Sequence, residues 1–323
     1  MDPDADPMIA PQKSTTRLKP VVAVLLSTYN GAAYLAAQLD SLAAQEGVDV
    51  RLHVRDDGSS DGTPDVLRNY ADRWPNLAAV QARANLGTAG SFLELLRTAP
   101  EDGVDFYAFC DQDDVWLPHK LARAAEALAH QEGPSIYCSN LACVSDDLRP
   151  LGVPPPNGDT RLEHLLFENI AIGCTVVMNP AARALVNSRP PERGVVMHDW
   201  WCALVVAAHG GRITYDPEPS LLYRQHGENS VGVDARIIAQ NIKQALRFLR
   251  APQSFYPIHT QATELLRLHG DAMVQERSAA VEGLIASKRS LMARARFAFS
   301  GQVVRRRSLD RLVVRGLVVA GLY

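Results

Sequence analysis

Residues 21 to 30 read VVAVLLSTYN, and this stretch decides the fold of the first half of the chain. Its first six residues are apolar and rich in valine, a pattern typical of a short strand buried in a parallel sheet. The next four, Ser27 to Asn30, carry hydroxyl or amide groups. Because ligands of parallel α/β sheets bind beyond the carboxyl ends of the strands, we expect this end of the strand to border a binding site.

Strands and helices alternate in the sequence that follows. Leucines 35, 39 and 42 have helical spacing, and after them the patterns predict a strand at 50–54, a helix at about 64–74, a strand at 77–81, a helix around Phe92 and a strand at 105–110. This alternation predicts an α/β fold, with a mostly parallel sheet covered by helices on both faces.

The alternation becomes less regular after about residue 134. The remaining patterns predict strands at 136–141, 174–178 and 221–223. They also predict a proline-rich loop at 149–160, an apolar helix at 200–208 and almost continuous helix from about residue 234. We therefore predict a disordered tail at 1–19, an α/β domain at 20–232 and a helical C-terminal region at 233–323.

The charge of the chain is unevenly distributed. The net charge of the 323 residues is −3, which gives no reason to expect a nucleic acid partner. Residues 288–323, however, hold nine basic residues and one acidic residue, a net charge of +8 that leaves −11 for the first 287 residues. Valines and leucines are interleaved among these arginines, a composition typical of a segment on an anionic membrane surface. A terminal helix packed on the domain is the alternative.

The cysteines and the N-terminal residues bear on the compartment. The five cysteines are scattered, and no two form a CxxC pair, so we expect buried thiols in a reducing compartment. The first residues are acidic and proline-rich, unlike a signal peptide, and no run of 18 apolar residues occurs. We expect a cytoplasmic protein, with the inner face of the membrane as a second location.

Three of the first four predicted strands end in polar clusters. These are the residues 27–31, 56–62 and 111–114, and the first two, taken singly, are equally consistent with a helix cap or an Asx-rich turn. Asp111 and Asp113 are two residues apart, so in an extended chain their carboxylates project to the same side. Carboxylates so close together repel each other unless a cation such as Mg²⁺ or Mn²⁺ lies between them. A solvated acidic turn is the alternative.

Other common site signatures are missing from the sequence. It contains neither GxGxxG after a strand nor GxxxxGK[ST], which removes the main support for a dinucleotide dehydrogenase or a P-loop enzyme. Cys and His clusters at zinc spacing and the GxSxG of a serine hydrolase are also missing. The hypothesis that remains after these exclusions is a nucleotide site built from acidic residues.

Six motifs, in this order and spacing, resemble those of glycosyltransferase family 2, which has the GT-A fold. They are STYN at 27–30, DDGSSD at 56–61, NLG at 85–87, DQDDVW at 111–116, HDWW at 198–201 and YRQHGENS at 223–230. The resemblance covers about residues 21–232 and is strongest to bacterial rhamnosyltransferase-type members. It implies that the α/β domain is a GT-A catalytic domain.

The resemblance also implies residue roles. Thr28 and Asn30 would line the nucleotide pocket, and Asp57 would accept a hydrogen bond from the base or ribose. Asp111 and Asp113 match the DxD element that holds the donor, with Asp113 as the direct metal ligand. Asp199 matches the catalytic base, although it could instead only cap the helix that follows.

Three more residue types near these motifs have open roles. His226 matches a third metal ligand of some relatives, with a hydrogen-bonded loop histidine as the alternative, and Arg224 is a candidate for binding the donor diphosphate. His198 stands where the family more often has an acidic residue. The tryptophans 200 and 201 could stack on a sugar or pack in the core.

The sequence therefore predicts a metal-dependent inverting glycosyltransferase that uses Mn²⁺ or Mg²⁺. It would move a sugar, with rhamnose favoured by the resemblance, from a dTDP- or UDP-linked donor to a glycan or lipid-linked acceptor in cell-surface polysaccharide synthesis. One metal and one base without a second nucleophile imply a single displacement. The alternatives are a sugar-1-phosphate nucleotidyltransferase and a catalytically idle sugar-nucleotide-binding or assembly protein.

Overall fold

A computed structural model describes residues 19–82, 84–192, 195–226 and 258–323. The strands are β1 Val21–Thr28, β2 Asp49–Asp56, β3 Leu77–Gln81, β4 Phe106–Cys110, β5 Val115–Trp116, β6 Ser135–Val144, β7 Pro150–Gly152, β8 Val177–Met178 and β9 Arg212–Arg224. The first helices are α1 Ala32–Ala43, α2 Thr63–Ala71, α3 Gly87–Thr98 and α4 Lys120–Leu128. They are followed by α5 Leu162–Leu165, a 3-10 helix Gly173–Thr175, α6 Pro180–Ser188, α7 His198–Ala208, α8 Ile258–His269, α9 Gln275–Ser287, α10 Leu291–Phe299 and α11 Ser308–Ala320.

The strands form one sheet in the order β3, β2, β1, β4, β8, β6, β9, β5, with β7 paired to β6. Strands β1 to β4 pair in parallel, as the alternation of strands and helices predicts, and β6 is parallel to β9. The short strands β5, β7 and β8 are antiparallel additions. The chain order reverses between β1 and β4, and at such a switch point the loops diverge and leave a crevice for a ligand.

Each face of the sheet is covered by its own apolar cluster. The leucines of α1, at positions 35, 39 and 42, pack on one face together with residues of α2 and α4. The other face holds Phe92, Leu95 and Leu96 of α3 and residues 200–208 of α7. Because both faces of the sheet are covered, residues on both sides of a strand are buried. This explains why the strands are almost continuously apolar.

The helical C-terminal region packs onto the same core as α7. Ile258 and Leu265 of α8, Leu284 of α9 and Val314 and Val318 of α11 belong to the apolar cluster that contains α7, and each is at most 3% exposed. The prediction of helix in this region is confirmed for residues 258 onward. The predicted tail at 1–19, except Lys19, and the boundary near 232 lie outside the described residues.

The structure differs from the predicted elements at three places. The predicted strand at 174–178 is a 3-10 helix followed by the two-residue β8, and the predicted loop at 149–160 contains β7. The predicted strand at 221–223 is only the end of the thirteen-residue β9. Prolines 217 and 219 interrupt the apolar pattern of β9, and the register of β9 against β6 shifts in that region.

No helix in the described part of the chain is long and apolar enough to cross a membrane. The five cysteines are free and buried, as the sequence predicts.

We predict that Asn179→Ala destabilises the protein by about 3 kcal/mol, because Asn179 joins the first turn of α6 to residues 133–135 at the start of β6. Its side chain caps α6 by accepting from Ala182 N at 2.9 Å, accepts from Ser135 N at 3.0 Å, and donates to the carbonyl oxygen of Gly133 at 2.8 Å. Chemical denaturation measures the change in the free energy of unfolding.

The control is Ser290→Ala, which removes the exposed cap of α10. Its hydroxyl accepts only the local bond from Ala293 N at 3.1 Å, so we expect a loss of about 1 kcal/mol. Equal losses for the two variants would contradict the bridging role of Asn179.

Candidate active site

The loops after β1, β2 and β4 meet at the switch point of the sheet. Asp57 N, beyond β2, donates to Thr28 O at the end of β1 at 2.8 Å. The side chain of Gln112, beyond β4, accepts from Tyr29 N at 2.9 Å and donates to Tyr29 O at 3.1 Å. Hydrogen bonds therefore connect the three polar clusters. This is expected, because the carboxyl ends of parallel strands lie at the same edge of a sheet.

Thr28 and Asn30 both connect the β1 loop to the β2 loop. Thr28 is 1% exposed, and its hydroxyl donates to Asp56 Oδ1 at 3.1 Å. Asn30 is exposed and has a positive φ of 49°, a conformation that asparagine tolerates better than most residues. Its Oδ1 accepts from Ser60 N at 2.9 Å. Of the two, only Asn30 presents its side chain at the surface of the crevice.

Asp57 is buried and contacts the NLG motif at residues 85–87. Its carboxylate accepts from Leu86 N at 2.9 Å, from Gly87 N at 3.0 Å and from Arg55 Nη2 at 3.1 Å. Gly87 has a positive φ of 68°, which a glycine adopts without strain. Asp57 thus holds the amino end of α3 against the β2 loop, an interaction that the spacing of the motifs does not reveal.

The acidic loop after β4 concentrates negative charge. Ligand atoms of Asp111, Asp114 and Cys174 lie within 4.8 Å of one another. Burial and the negative charges of Asp113 and Asp199 raise the pKa of Asp111 to about 8. Burial and the charges of Asp113 and Asp111 raise the pKa of Asp114 well above its usual range. Cys174 was not among the predicted site residues, because it lies far from the acidic loop in the sequence.

These residues fit a divalent cation. Carboxylate oxygens are the preferred ligands of Mg²⁺ and Mn²⁺, and neutral imidazole is a common metal ligand in proteins. The pKa values of Asp111 and Asp114 are raised first by burial and then by repulsion from neighbouring carboxylates, and a bound cation would offset both effects.

His226 and Arg224 reach the acidic loop from the end of β9. His226 Nε2 lies 2.7 Å from Asp113 Oδ2, and its ring stacks on Tyr34 at 4.9 Å between centroids. Arg224 Nε donates to the carbonyl oxygen of Asp113 at 2.9 Å, and Arg224 N donates to Asp114 Oδ1 at 3.2 Å. A further guanidinium bond goes to the carbonyl oxygen of Asp146. Arg224 therefore shapes the backbone of the acidic loop.

Asp199 lies in the first turn of α7 and is 1% exposed. Burial raises the pKa of its carboxyl to about 6, although hydrogen bonds from Trp200 N and from the Asn169 side chain oppose the shift. The cap position of α7 is Met197, so Asp199 does not occupy it. A carboxyl with this pKa is mostly ionised at neutral pH and remains a better proton acceptor than an ordinary aspartate.

His198 and the two tryptophans belong to the core. The His198 ring stacks on Phe92 at 4.0 Å and meets the edge of Phe109 at 4.6 Å, and burial lowers its pKa to about 3, so it is neutral. Trp200 donates from Nε1 to Leu165 O at 2.5 Å, and Trp201 is 0% exposed. Of the two alternatives for these tryptophans, the structure shows core packing.

Comparisons with known proteins agree with this geometry. Residues 23–177 match the family described as Glycosyl transferase family 2. The chain is 27% identical over 216 residues to the dTDP-rhamnosyl transferase RfbG of Shigella flexneri, covering 65% of this chain and 74% of that protein.

Two solved structures share the fold. The S. aureus TarS fragment 1–349 in complex with UDP-GlcNAc has a TM-score of 0.56 at 19% identity, covering 92% of this chain and 81% of that chain. The mannosyltransferase PcManGT of Pyrobaculum calidifontis in complex with GDP-Man and Mn²⁺ has a TM-score of 0.53 at 19% identity, covering 94% and 86%.

We predict that Asp199→Asn changes the pH dependence of stability. Because the folded state raises the pKa of Asp199 from 3.8 to about 6, the stability that its proton gives is fully present below pH 3.8 and is lost as pH rises through 6. Asparagine does not titrate. Relative to wild type, the variant should therefore gain about 1 kcal/mol between pH 5 and pH 7.5.

Urea denaturation in EDTA at the two pH values measures this gain. The control is Asp65→Asn in α2, where the carboxylate is exposed and forms only a local ion pair with Arg68. A gain for Asp65→Asn as large as that for Asp199→Asn would show that burial is not the cause.

Proposed function

Because residues 23–177 match glycosyltransferase family 2, we propose that the chain is a metal-dependent inverting enzyme that transfers rhamnose or a related sugar from a nucleotide diphosphate donor. The acceptor is a glycan or a lipid-linked glycan in cell-surface polysaccharide synthesis. The observation that carries the proposal is the acidic loop of residues 111–114 within electrostatic reach of the buried carboxyl of Asp199.

Asp113 and His226 are the proposed metal ligands, and their 2.7 Å contact supports a shared role. Asp111 lies close enough to join them or to hold the donor. Bound Mn²⁺ or Mg²⁺ would offset the negative charge that develops on the departing diphosphate. Thr28, Asn30 and Asp57 would hold the nucleoside, a role for which the exposed side chain of Asn30 is best placed.

Asp199 is the proposed base. Its carboxylate would accept the proton of the acceptor hydroxyl as that oxygen forms a bond to the anomeric carbon and the bond to the diphosphate breaks. A raised pKa near 6 suits this transfer at neutral pH. A single displacement of this kind inverts the anomeric configuration.

The donor proposal rests on the similarity to RfbG, whose name describes a dTDP-rhamnosyl transferase. A dTDP- or UDP-linked sugar is consistent with this similarity. Arg224 would lie near the donor diphosphate, although two of its donors bind the carbonyl oxygens of Asp113 and Asp146. We therefore expect Arg224 to act mainly by holding the acidic loop.

We predict that two Asp→Asn variants separate the metal site from the base. Asp113→Asn should abolish both transfer and the metal-dependent binding of the donor, because it removes a ligand. Asp199→Asn should lower transfer roughly 10²- to 10⁴-fold, the usual contribution of a general base, with donor affinity nearly unchanged. Turnover with dTDP-rhamnose and Mn²⁺ and donor binding by calorimetry measure the two effects.

Asp65→Asn is again the control and should leave both quantities unchanged. Full turnover of wild type in EDTA would refute the metal assignment. An Asp199→Asn variant with more than about half of the wild-type rate would remove Asp199 from the mechanism, and donor binding without turnover in wild type would favour an idle binding protein.

We also propose that the C-terminal helices hold the protein on the inner face of an anionic membrane. Val314 and Val318 of α11 pack on the core, while Leu312 is 60% exposed. Met292 and Phe299 of α10 are 75% and 69% exposed, among the arginines of residues 288–323. An apolar surface surrounded by basic residues is typical of a segment that lies in the membrane interface.

We predict that the full-length protein sediments with anionic vesicles at low salt and that about 0.5 M NaCl releases it, because the attraction is screened. The double substitution Met292→Gln and Leu312→Gln should weaken binding, whereas Val80→Gln with Leu151→Gln, exposed apolar residues elsewhere, should not. Truncation after residue 287 is unsuitable, since it removes the buried side chains of α11. Equal sedimentation with neutral vesicles would refute the electrostatic part of the proposal.

A further inference from the structure

A cavity of about 360 Å³ lies between the loop of residues 156–164 and the C-terminal segment 304–311. The loop precedes and enters α5, and the segment leads into α11. The cavity is separate from the acidic loop after β4, and none of the roles proposed above uses it.

The wall of this cavity is strongly basic. Four arginines line it, one from the loop and three from the C-terminal segment, at positions 161, 305, 306 and 311. Two carboxylates oppose them: Asp159 pairs with Arg161 at 2.6 Å, and Glu168 lies 3.6 Å from Arg305. The four arginines exceed these two carboxylates by two positive charges, and Glu163 adds a weaker interaction with Arg161.

Buried polar groups at the cavity have no hydrogen-bond partner in the described part of the chain. The ring of His164 is 1% exposed, and its nitrogens lie 3.7 Å from Asp159 and 3.5 Å from Glu168, too far for hydrogen bonds. Arg311 Nε is also buried without a partner. Buried polar atoms are normally satisfied, so a ligand or ordered water is expected to complete this site.

The cavity is close in sequence and structure to the proposed base. Glu168, at its edge, accepts from Arg306 N at 3.2 Å, and the neighbouring residue Asn169 hydrogen-bonds Asp199 through its side chain. Leu165, one residue after His164, accepts the indole N–H of Trp200. Arg311, which lines the cavity, lies in the first turn of α11, next to the exposed Leu312.

We propose that this cavity binds the diphosphate group of a lipid-linked acceptor. The inference rests on the proposed function, since it concerns the acceptor of the same reaction. Guanidinium groups contributed by two chain segments match the several oxygens of a diphosphate, and their planar forks bind phosphate oxygens in pairs. An uncharged glycan would leave the surplus positive charge unpaired. A lipid attached to the diphosphate would extend along the start of α11, where Leu312 and Val313 are exposed.

The test uses calorimetric titration of the full-length protein in EDTA, so that the donor centre holds no metal. Geranyl diphosphate and inorganic pyrophosphate are the two probes. The double substitution Arg306→Gln and Arg311→Gln should weaken geranyl diphosphate binding at least tenfold. Arg289→Gln with Arg296→Gln makes the same change of net charge outside the cavity and should not weaken it.

Arg306 and Arg311 also donate to the carbonyl oxygens of Pro155 and Arg305, so the double variant could lose binding because it misfolds. A second variant distinguishes loss of the site from misfolding. Arg161 has a largely exposed side chain, so Arg161→Gln should keep the melting temperature of wild type and still weaken binding several-fold. Asp113→Asn should bind both probes as wild type does.

Three results would overturn the proposal. Equal affinity of the cavity variants and the arginine control would refute the site. Loss of binding in Asp113→Asn would assign the anion to the donor centre. Equal affinity for the two probes would refute a lipid-linked source in favour of a soluble diphosphate. None of these titrations requires sugar transfer. Failure of this proposal can therefore be distinguished from failure of the proposed transferase function.

Discussion

The negative charge collected at the carboxyl edge of the sheet is the constraint on which the rest of the site depends. Asp114 and Asp199 are almost fully buried, and burial raises the pKa of both carboxyls. The protein compensates this charge only in part. His226 contacts Asp113, and the backbone N–H of Arg224 donates to Asp114. A site with uncompensated carboxylates favours the binding of protons or of a cation.

A buried lysine also contributes to the charge around the acidic loop. Lys120 is 0% exposed, and its ammonium lies 4.4 Å from the centre of the Trp116 ring. Burial lowers its pKa to about 8, while the nearby negative charge of Asp114 opposes the shift. A positive charge held below the acidic loop stabilises ionised carboxylates above it, at the expense of burying an ammonium group.

Helix α7 joins the site to the C-terminal region. All of its residues are buried, Asp199 lies in its first turn, and α8, α9 and α11 contribute to the apolar cluster that surrounds it. The C-terminal region is therefore part of the core of the described structure.

The sequence by itself determined the first four strands, the three helices between them and the positions of the acidic clusters. Apolar runs and helical spacing reflect burial within one element, and parallel strand ends necessarily gather at one edge. Only the tertiary structure decided which distant groups meet there: Cys174 beside Asp111, Asp57 beneath Leu86 and Gly87, and His198 between phenylalanines. It also decided the length of β9 and the cavity at residues 304–311. These contacts depend on packing between segments far apart in the chain, and no local pattern of residues encodes that packing.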